Sequence, residues 1–246
     1  MADGIKPFSF TGSRFWFIGL FVLCVVGFGQ SYFLKLLGQE GDFSYYVHLH
    51  VAMMFLWLSL LIVQPILIYK RRNSLHRRIG RVSSILVLTI IVSSVLVIHS
   101  QALLQGNAEA KGLTPEEFLI QPVAMAILFL IPYMLAMVNR HKPSIHARYM
   151  ICTALPSILE PTVARGLFYG FGIQPPLLFI ALLTLTSCIF IILIVAERRQ
   201  ETGRHVFPSM LGLYWSMNII FVAISTGPLG FIWQGFGKWF LSLPLT

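Results

Sequence analysis

The chain has 246 residues, 57% of them hydrophobic and only 11% charged, with a formal net charge of +9. A water-soluble domain carries roughly 25% charged residues, so this composition excludes an ordinary soluble fold and leaves a polytopic membrane protein. The basic residues sit in short loops between apolar runs, a pattern of positive-inside topology that excludes a phosphate-binding face and a nucleic-acid partner.

Read in order, the chain predicts an all-α bundle in a single transmembrane domain, 1–246, with about seven spans. The N-terminal stretch MADGIKPFSFTGSR is polar, and the apolar run after it is too long for a signal-peptide core. That run, about 15–37, is therefore expected as span one. The others are expected at about 45–69, 82–104, 118–138, 145–168, 176–196 and 207–232. The remainder, 233–246, is rich in Trp, Phe and Gly and reads as an aromatic anchor along the interface.

Charge sets the orientation. Lys70, Arg71, Arg72, Arg77, Arg78 and Arg81 follow span two. Arg140, Lys142 and Arg148 follow span four, and Arg198, Arg199 and Arg204 follow span six. With Lys6 and Arg14 at the N-terminus, 14 of the 18 basic residues fall on one side, which predicts N-inside, C-outside. Cys24, Cys152 and Cys188 all lie in apolar runs and no C-x-x-C occurs, so they read as small apolar packers.

Ionisable groups inside apolar runs are expensive, and each is a functional candidate. Counting about 1.5 Å per helical residue, Glu160 lies roughly 22 Å and His99 roughly 26 Å above the inner ends of their spans, with His48 and His50 within about 8 Å of the outer end of theirs. Arg165 and Gln30 fall at similar outer depths, so four spans bring polar groups to one outer layer. His48 and His50 are about 200° apart on a helix and face different neighbours. The seven-residue line His50–Trp57–Gln64 favours His50 as the inward member.

Imidazoles from several helices with a carboxylate suit zinc, iron or copper, which nominates His50, His99 and Glu160 as metal ligands. Two histidines can also sandwich a haem b iron, with Arg165 on a propionate, which nominates His48, His50, His99 and Arg165. A purely structural hydrogen-bond network, with Glu160 paired to Arg165, is the third reading. Pro132, Pro156 and Pro161 are expected to kink their helices. A second cluster gathers at the inner face: Gln64, His76, Arg77, His146 and Arg148. It reads as topogenic charge or as a site for an anionic lipid headgroup, and His76 with His146 would be its axial pair if haem lay there. Span seven has no lysine, so a retinal Schiff base is excluded, and there is no phosphate-binding glycine loop.

H-L-H at 48–50, Trp57, Gln64 and L-H-R-R-I-G at 75–80, followed by H-K-P-S-I-H-A-R-Y-M at 141–150, Pro156 and A-R at 164–165, resemble a family of small bacterial multi-pass membrane proteins of unknown function. The resemblance covers about 45–170. It implies the bundle fold and the bacterial cytoplasmic membrane but no reaction. It also implies which positions belong to the pattern: His48, His50, Gln64, His76, His146, Arg148 and Arg165. His99 and Glu160 are not among them.

Three functions follow as expectations. The first is a haem- or metal-binding membrane protein with a redox role through the outer histidines. The second is a transporter or binder of a small solute or lipid along Glu160, Arg165 and the kinked fifth span. The third is a scaffold that works through a protein partner or as a homo-oligomer.

Overall fold

A computed structural model describes residues 12–38, 43–104, 113–227 and 229–246. It is built of helix, with no strand among the described residues. In chain order α1 is Ser13–Gly27, followed by a π-helical turn at Gly29–Phe33 and α2 at Leu34–Gly38. Next come α3 (Tyr45–Tyr69), α4 (Asn73–Leu103), α5 (Pro115–Phe118) and α6 (Ile120–Val138). α7 (Pro143–Cys152) leads through a second π-turn, Leu155–Leu159, into α8 (Glu160–Phe171), and α9 (Pro175–Glu197), α10 (Val206–Thr226) and α11 (Gly230–Leu241) complete the chain.

The surface identifies the solvent. On α4, Ser83, Val87, Ile90 and Ser93 are buried at helical spacing, while Val82, Ile85, Leu88 and Val92 on the other face are half or more exposed. Water would require polar residues on that outer stripe, and lipid does not. Five helices are long and apolar enough to cross a membrane: α3, α4, α5 with α6, α9 and α10. A sixth is reached if α1 and the Gly29–Gly38 segment, bent by 48° at their junction, count as one broken span. This makes the chain an integral membrane protein with apolar helices suited to a lipid bilayer.

Several boundaries differ from expectation, each for a local reason. The apolar run 145–168 is not one straight helix. Pro156 has no amide hydrogen for the regular ladder, and the helix widens to a π-turn between α7 and α8. α4 starts at Asn73 rather than near Val82, because helix-forming Leu75, Arg77 and Arg78 carry the helix back through the basic turn. Arg71, at φ 55°, reverses the chain just before it. The tail folds as α11, whose 12 residues span about 18 Å, too short to cross. It packs on α5, where the Trp233 indole donates to the Glu116 carbonyl at 2.7 Å.

Two buried clusters form the interior. The first centres on Trp57, fully buried, with Phe129 and Tyr133 edge-on to its ring at 5.3 and 5.6 Å. Its Nε1 donates to Thr153 Oγ1 at 3.3 Å, which ties α3 to the turn after α7. The second cluster joins α6, α7, α9 and α10 through Ala136, Cys152, Phe190, Phe207 and Tyr214. α1 and α8 approach closely at Gly27, where a Cβ would lie 2.5 Å from the Thr162 carbonyl oxygen. Cys24 and Thr162 meet at 3.2 Å in the same crossing. Cys24, Cys152 and Cys188 are free thiols; Cys24 and Cys152 are buried as packers, whereas Cys188 is exposed.

Candidate functional site

The outer polar groups are brought together as separate pairs rather than as one centre. His48 faces α1, its Nδ1 2.7 Å from the Tyr32 hydroxyl that the first π-turn presents. His50 faces α4, its Nδ1 3.2 Å from Ser93 Oγ and 3.4 Å from Ser94 Oγ. His99 is buried under the C-terminal segment, its Nδ1 2.7 Å from Thr246 Oγ1 and its ring edge-on to Phe240. Glu160 is buried and accepts a 2.5 Å hydrogen bond from the Tyr214 hydroxyl of α10. The expected set His50, His99 and Glu160 is therefore not gathered. Among the described residues, no three His, Cys, Asp or Glu side chains are placed to hold a metal ion. The reason is rotational: His99 is six residues beyond Ser93, about 240° further round α4, so one of the two must face away from His50. The His48–His50–His99 haem set is split in the same way, since the three rings bond to the first π-turn, to the middle of α4 and to the C-terminal segment.

The expected Glu160–Arg165 pair does not form. Five residues apart on α8, the two side chains are about 140° apart. Arg165 instead lies over the Phe28 ring, 4.5 Å from its centroid, and donates a long 3.4 Å bond to the Pro161 carbonyl.

The inner cluster is different. Arg148, expected to face an anion, is itself buried, and its Nε donates to Glu197 Oε2 at 2.5 Å. It also donates to the Ser144 carbonyl and hydroxyl. The 198–205 loop closes over it: Gly203, at φ 81°, sits so near that a Cβ would be 2.6 Å from the guanidinium. Arg77 remains exposed at the surface. Glu197 was not singled out in the sequence, because one acid at the end of an apolar run looks like ordinary helix-end charge. Ser93, Ser94 and Tyr214 likewise look like neutral helix filler until the helices pack.

Beneath that surface, Gln64 of α3 meets the backbone of His76 on α4, with His146 of α7 within electrostatic reach of His76. Gln64 Nε2 donates to the His76 carbonyl at 3.4 Å. The Gln64 side chain is buried, and its Oε1 has no hydrogen-bond partner among the described residues. The same is true of His76 Nδ1. His146 Nδ1 is 2.8 Å from the Ala136 carbonyl oxygen. A carbonyl only accepts, so Nδ1 carries the proton and, in the neutral imidazole, Nε2 holds a lone pair. Orienting a histidine through Nδ1–H on a backbone carbonyl is the arrangement that surrounds metal-bound imidazoles. Buried polar atoms without partners are few in native proteins, and each asks for an explanation.

A third feature is an apolar groove of about 210 Å³ between α4, α6 and α11, lined by Ile91, Val95, Ile98, Ile127, Phe236 and Phe240 with Ser94 as its one hydroxyl. It does not reach Glu160. No protein-family model, curated protein or solved structure matches this chain.

Proposed function

We propose that this chain is an integral membrane protein that binds a transition metal at its inner face, with His76, His146 and Gln64 as donors and with a redox role where the ion is iron or copper. The observation that carries this reading is the buried, unpartnered Gln64 Oε1 on an amide that bonds the His76 backbone, together with the unpartnered His76 Nδ1 and a His146 fixed in the metal-binding tautomer by Ala136. The lone pairs of Gln64 Oε1 and His146 Nε2 repel an anion and attract a cation or a strong hydrogen-bond donor. The cation that would have held a headgroup there, Arg148, is occupied by Glu197. Imidazole nitrogen with amide oxygen suits zinc, copper, iron or nickel.

The proposal places the site at the cytoplasmic face. It counts α7 and α8 as one broken crossing and the bent first segment as another, for seven spans with the N-terminus inside; the distribution of Lys and Arg supports this. The bacterial cytoplasmic membrane is the setting that the family resemblance implies.

The test is elemental analysis and an absorption spectrum, oxidised and dithionite-reduced, on protein purified in mild detergent. About one metal per chain is expected, lost in His146→Ala and His76→Ala and kept in His99→Ala. A Soret band lost in the same two variants would assign the pair to haem iron instead of a bare ion. Metal content independent of both histidines would sink the reading.

A further inference from the structure

A buried carboxyl stands without a charge partner where α8, α9 and α10 meet. Glu160 opens α8 and is 4% exposed. Tyr214 of α10 is buried beside it and donates its hydroxyl hydrogen to Glu160 Oε1 at 2.5 Å. Thr186 of α9 is fully buried and closes the group from the third helix. Its Oγ1 lies within reach of both side chains, yet it completes no hydrogen bond among the described residues. Phe190, one turn along the same face of α9, meets the Tyr214 ring at 6.3 Å, which turns that face toward α10.

The helices around the group bring no cation to it. Among the described residues the one carboxylate–guanidinium pair is Arg148–Glu197, and Glu197 is the one charged residue of α9, at its far end. α10 carries no charged residue. Arg165 is about 140° round α8 from Glu160 and lies over Phe28. On α1, Cys24 faces Thr162. An ionised Glu160 would therefore be a buried charge with nothing to compensate it, a costly state in an apolar interior. Three side-chain oxygens also fall short of the about six that a hard cation such as magnesium or calcium takes. A proton is the positive charge that needs no further ligands. Tyr214 already donates to Oε1, so the proton belongs on Oε2, with Thr186 Oγ1 as the unused acceptor nearby.

The group also has a polar line to the surface. Tyr214, Asn218 and Ser225 fall within about 40° of one another on α10 and climb about 16 Å toward its Thr226 end. Asn218 is half-buried and its Nδ2 donates to the Tyr214 carbonyl at 2.9 Å; Ser225 is exposed.

We infer that Glu160, held by Tyr214 beside Thr186, is a proton-binding site inside the membrane, and that its proton exchanges with the aqueous phase along the Asn218–Ser225 face of α10. This is the chemistry of a proton relay or a proton-coupled carrier. The site shares no residue with the inner histidine group, and neither reading depends on the other.

The experiment uses the full chain in mild detergent, with infrared spectroscopy and with labelling by dicyclohexylcarbodiimide, an apolar reagent for protonated carboxyls. The carboxyl O–H adds across its N=C bond: the proton goes to nitrogen, the oxygen bonds to the central carbon, and an O-to-N acyl shift leaves a stable N-acylurea. Peptide mass spectrometry is expected to find the adduct on Glu160 and not on Glu197, which Arg148 holds ionised. The infrared spectrum is expected to show the carbonyl stretch of a protonated carboxyl, moved to lower frequency in deuterium oxide and lost in Glu160→Gln. Tyr214→Phe serves if the glutamine variant does not fold. Without the hydrogen bond to Oε1 the same stretch should move to higher frequency while the adduct persists. An unlabelled Glu160, a stretch insensitive to deuterium oxide or to Tyr214→Phe, or labelling abolished by added sodium ions, which would make this a metal-cation site, would each overturn the inference.

Discussion

The two polar layers of this bundle are built on opposite plans. In the outer layer each of these groups has a partner on another segment, His48 with Tyr32, His50 with Ser93, His99 with Thr246 and Glu160 with Tyr214, although His99 Nε2 is also left without one among the described residues. In the inner layer one strong ion pair, Arg148–Glu197, lies near a group of side chains with unmet hydrogen-bonding capacity. The lesson is that the number of polar residues at one depth does not mark a site. Interhelical pairs of this kind are ordinary membrane-protein cement, worth on average about 0.6 kcal/mol each. What marks a site is donor or acceptor capacity left over after the helices have packed.

Breaking the inner ion pair is expected to have the largest effect. Arg148→Ala leaves Glu197 charged, buried and alone, which costs on the order of 3–5 kcal/mol. Thermal unfolding in detergent should show a large drop that Glu197→Gln in the same chain partly restores; a drop unaffected by the second change would mean that Arg148 acts through Ser144 and Gly203 alone. Next comes the seam in the outer half. Gly27→Val forces a side chain into the Thr162 carbonyl, an overpacking cost of about 1–3 kcal/mol. The same measurement checks it, and a neutral result would show that α1 can slide on α8.

Tyr214→Phe removes the donor to Glu160 and leaves a buried carboxyl oxygen unsatisfied, at about 1–3 kcal/mol. The comparison sharpens if this variant loses stability without any change in bound metal, as expected for a pair outside the inner site. Metal lost in Tyr214→Phe would mean that the two layers are coupled. The smallest effect is expected at the exposed basic turn. Arg77→Ala should change stability by less than about 0.5 kcal/mol, because Arg77 is exposed and surface substitutions of this kind are mild. Its expected cost is topological, a weaker inside bias, read out by protease accessibility of the loop in vesicles.

Much of the fold was legible in the chain. Runs of apolar residues longer than a bilayer needs can only be helices buried in lipid, since every backbone donor must be satisfied within its own segment. The face His50–Trp57–Gln64 was also legible: Trp57 and Gln64 are both buried in the structure. Less legible were the breaks. Pro156 announced an irregularity, but Gly29–Phe33 contains no proline, and nothing local in GQSYF distinguishes a π-turn from a helix. Its consequence is tertiary, since that turn is what presents Tyr32 to His48.

The candidate site was legible only as a roster. Composition and spacing selected the histidines, Gln64, Glu160 and the inner arginines, because a strongly polar group in an apolar run is conspicuous wherever the chain goes. Their partners were not legible. Ser93, Ala136 and Tyr214 are unremarkable in sequence and matter only through which helix lies opposite. By itself the sequence determined the solvent and the helical class, because hydropathy acts along one chain. The tertiary structure alone decided which groups meet, that Arg148 is neutralised by Glu197 and that Gln64 Oε1 is left over. Rotation about each helix axis is set by close packing between helices, and no local property of one helix encodes it.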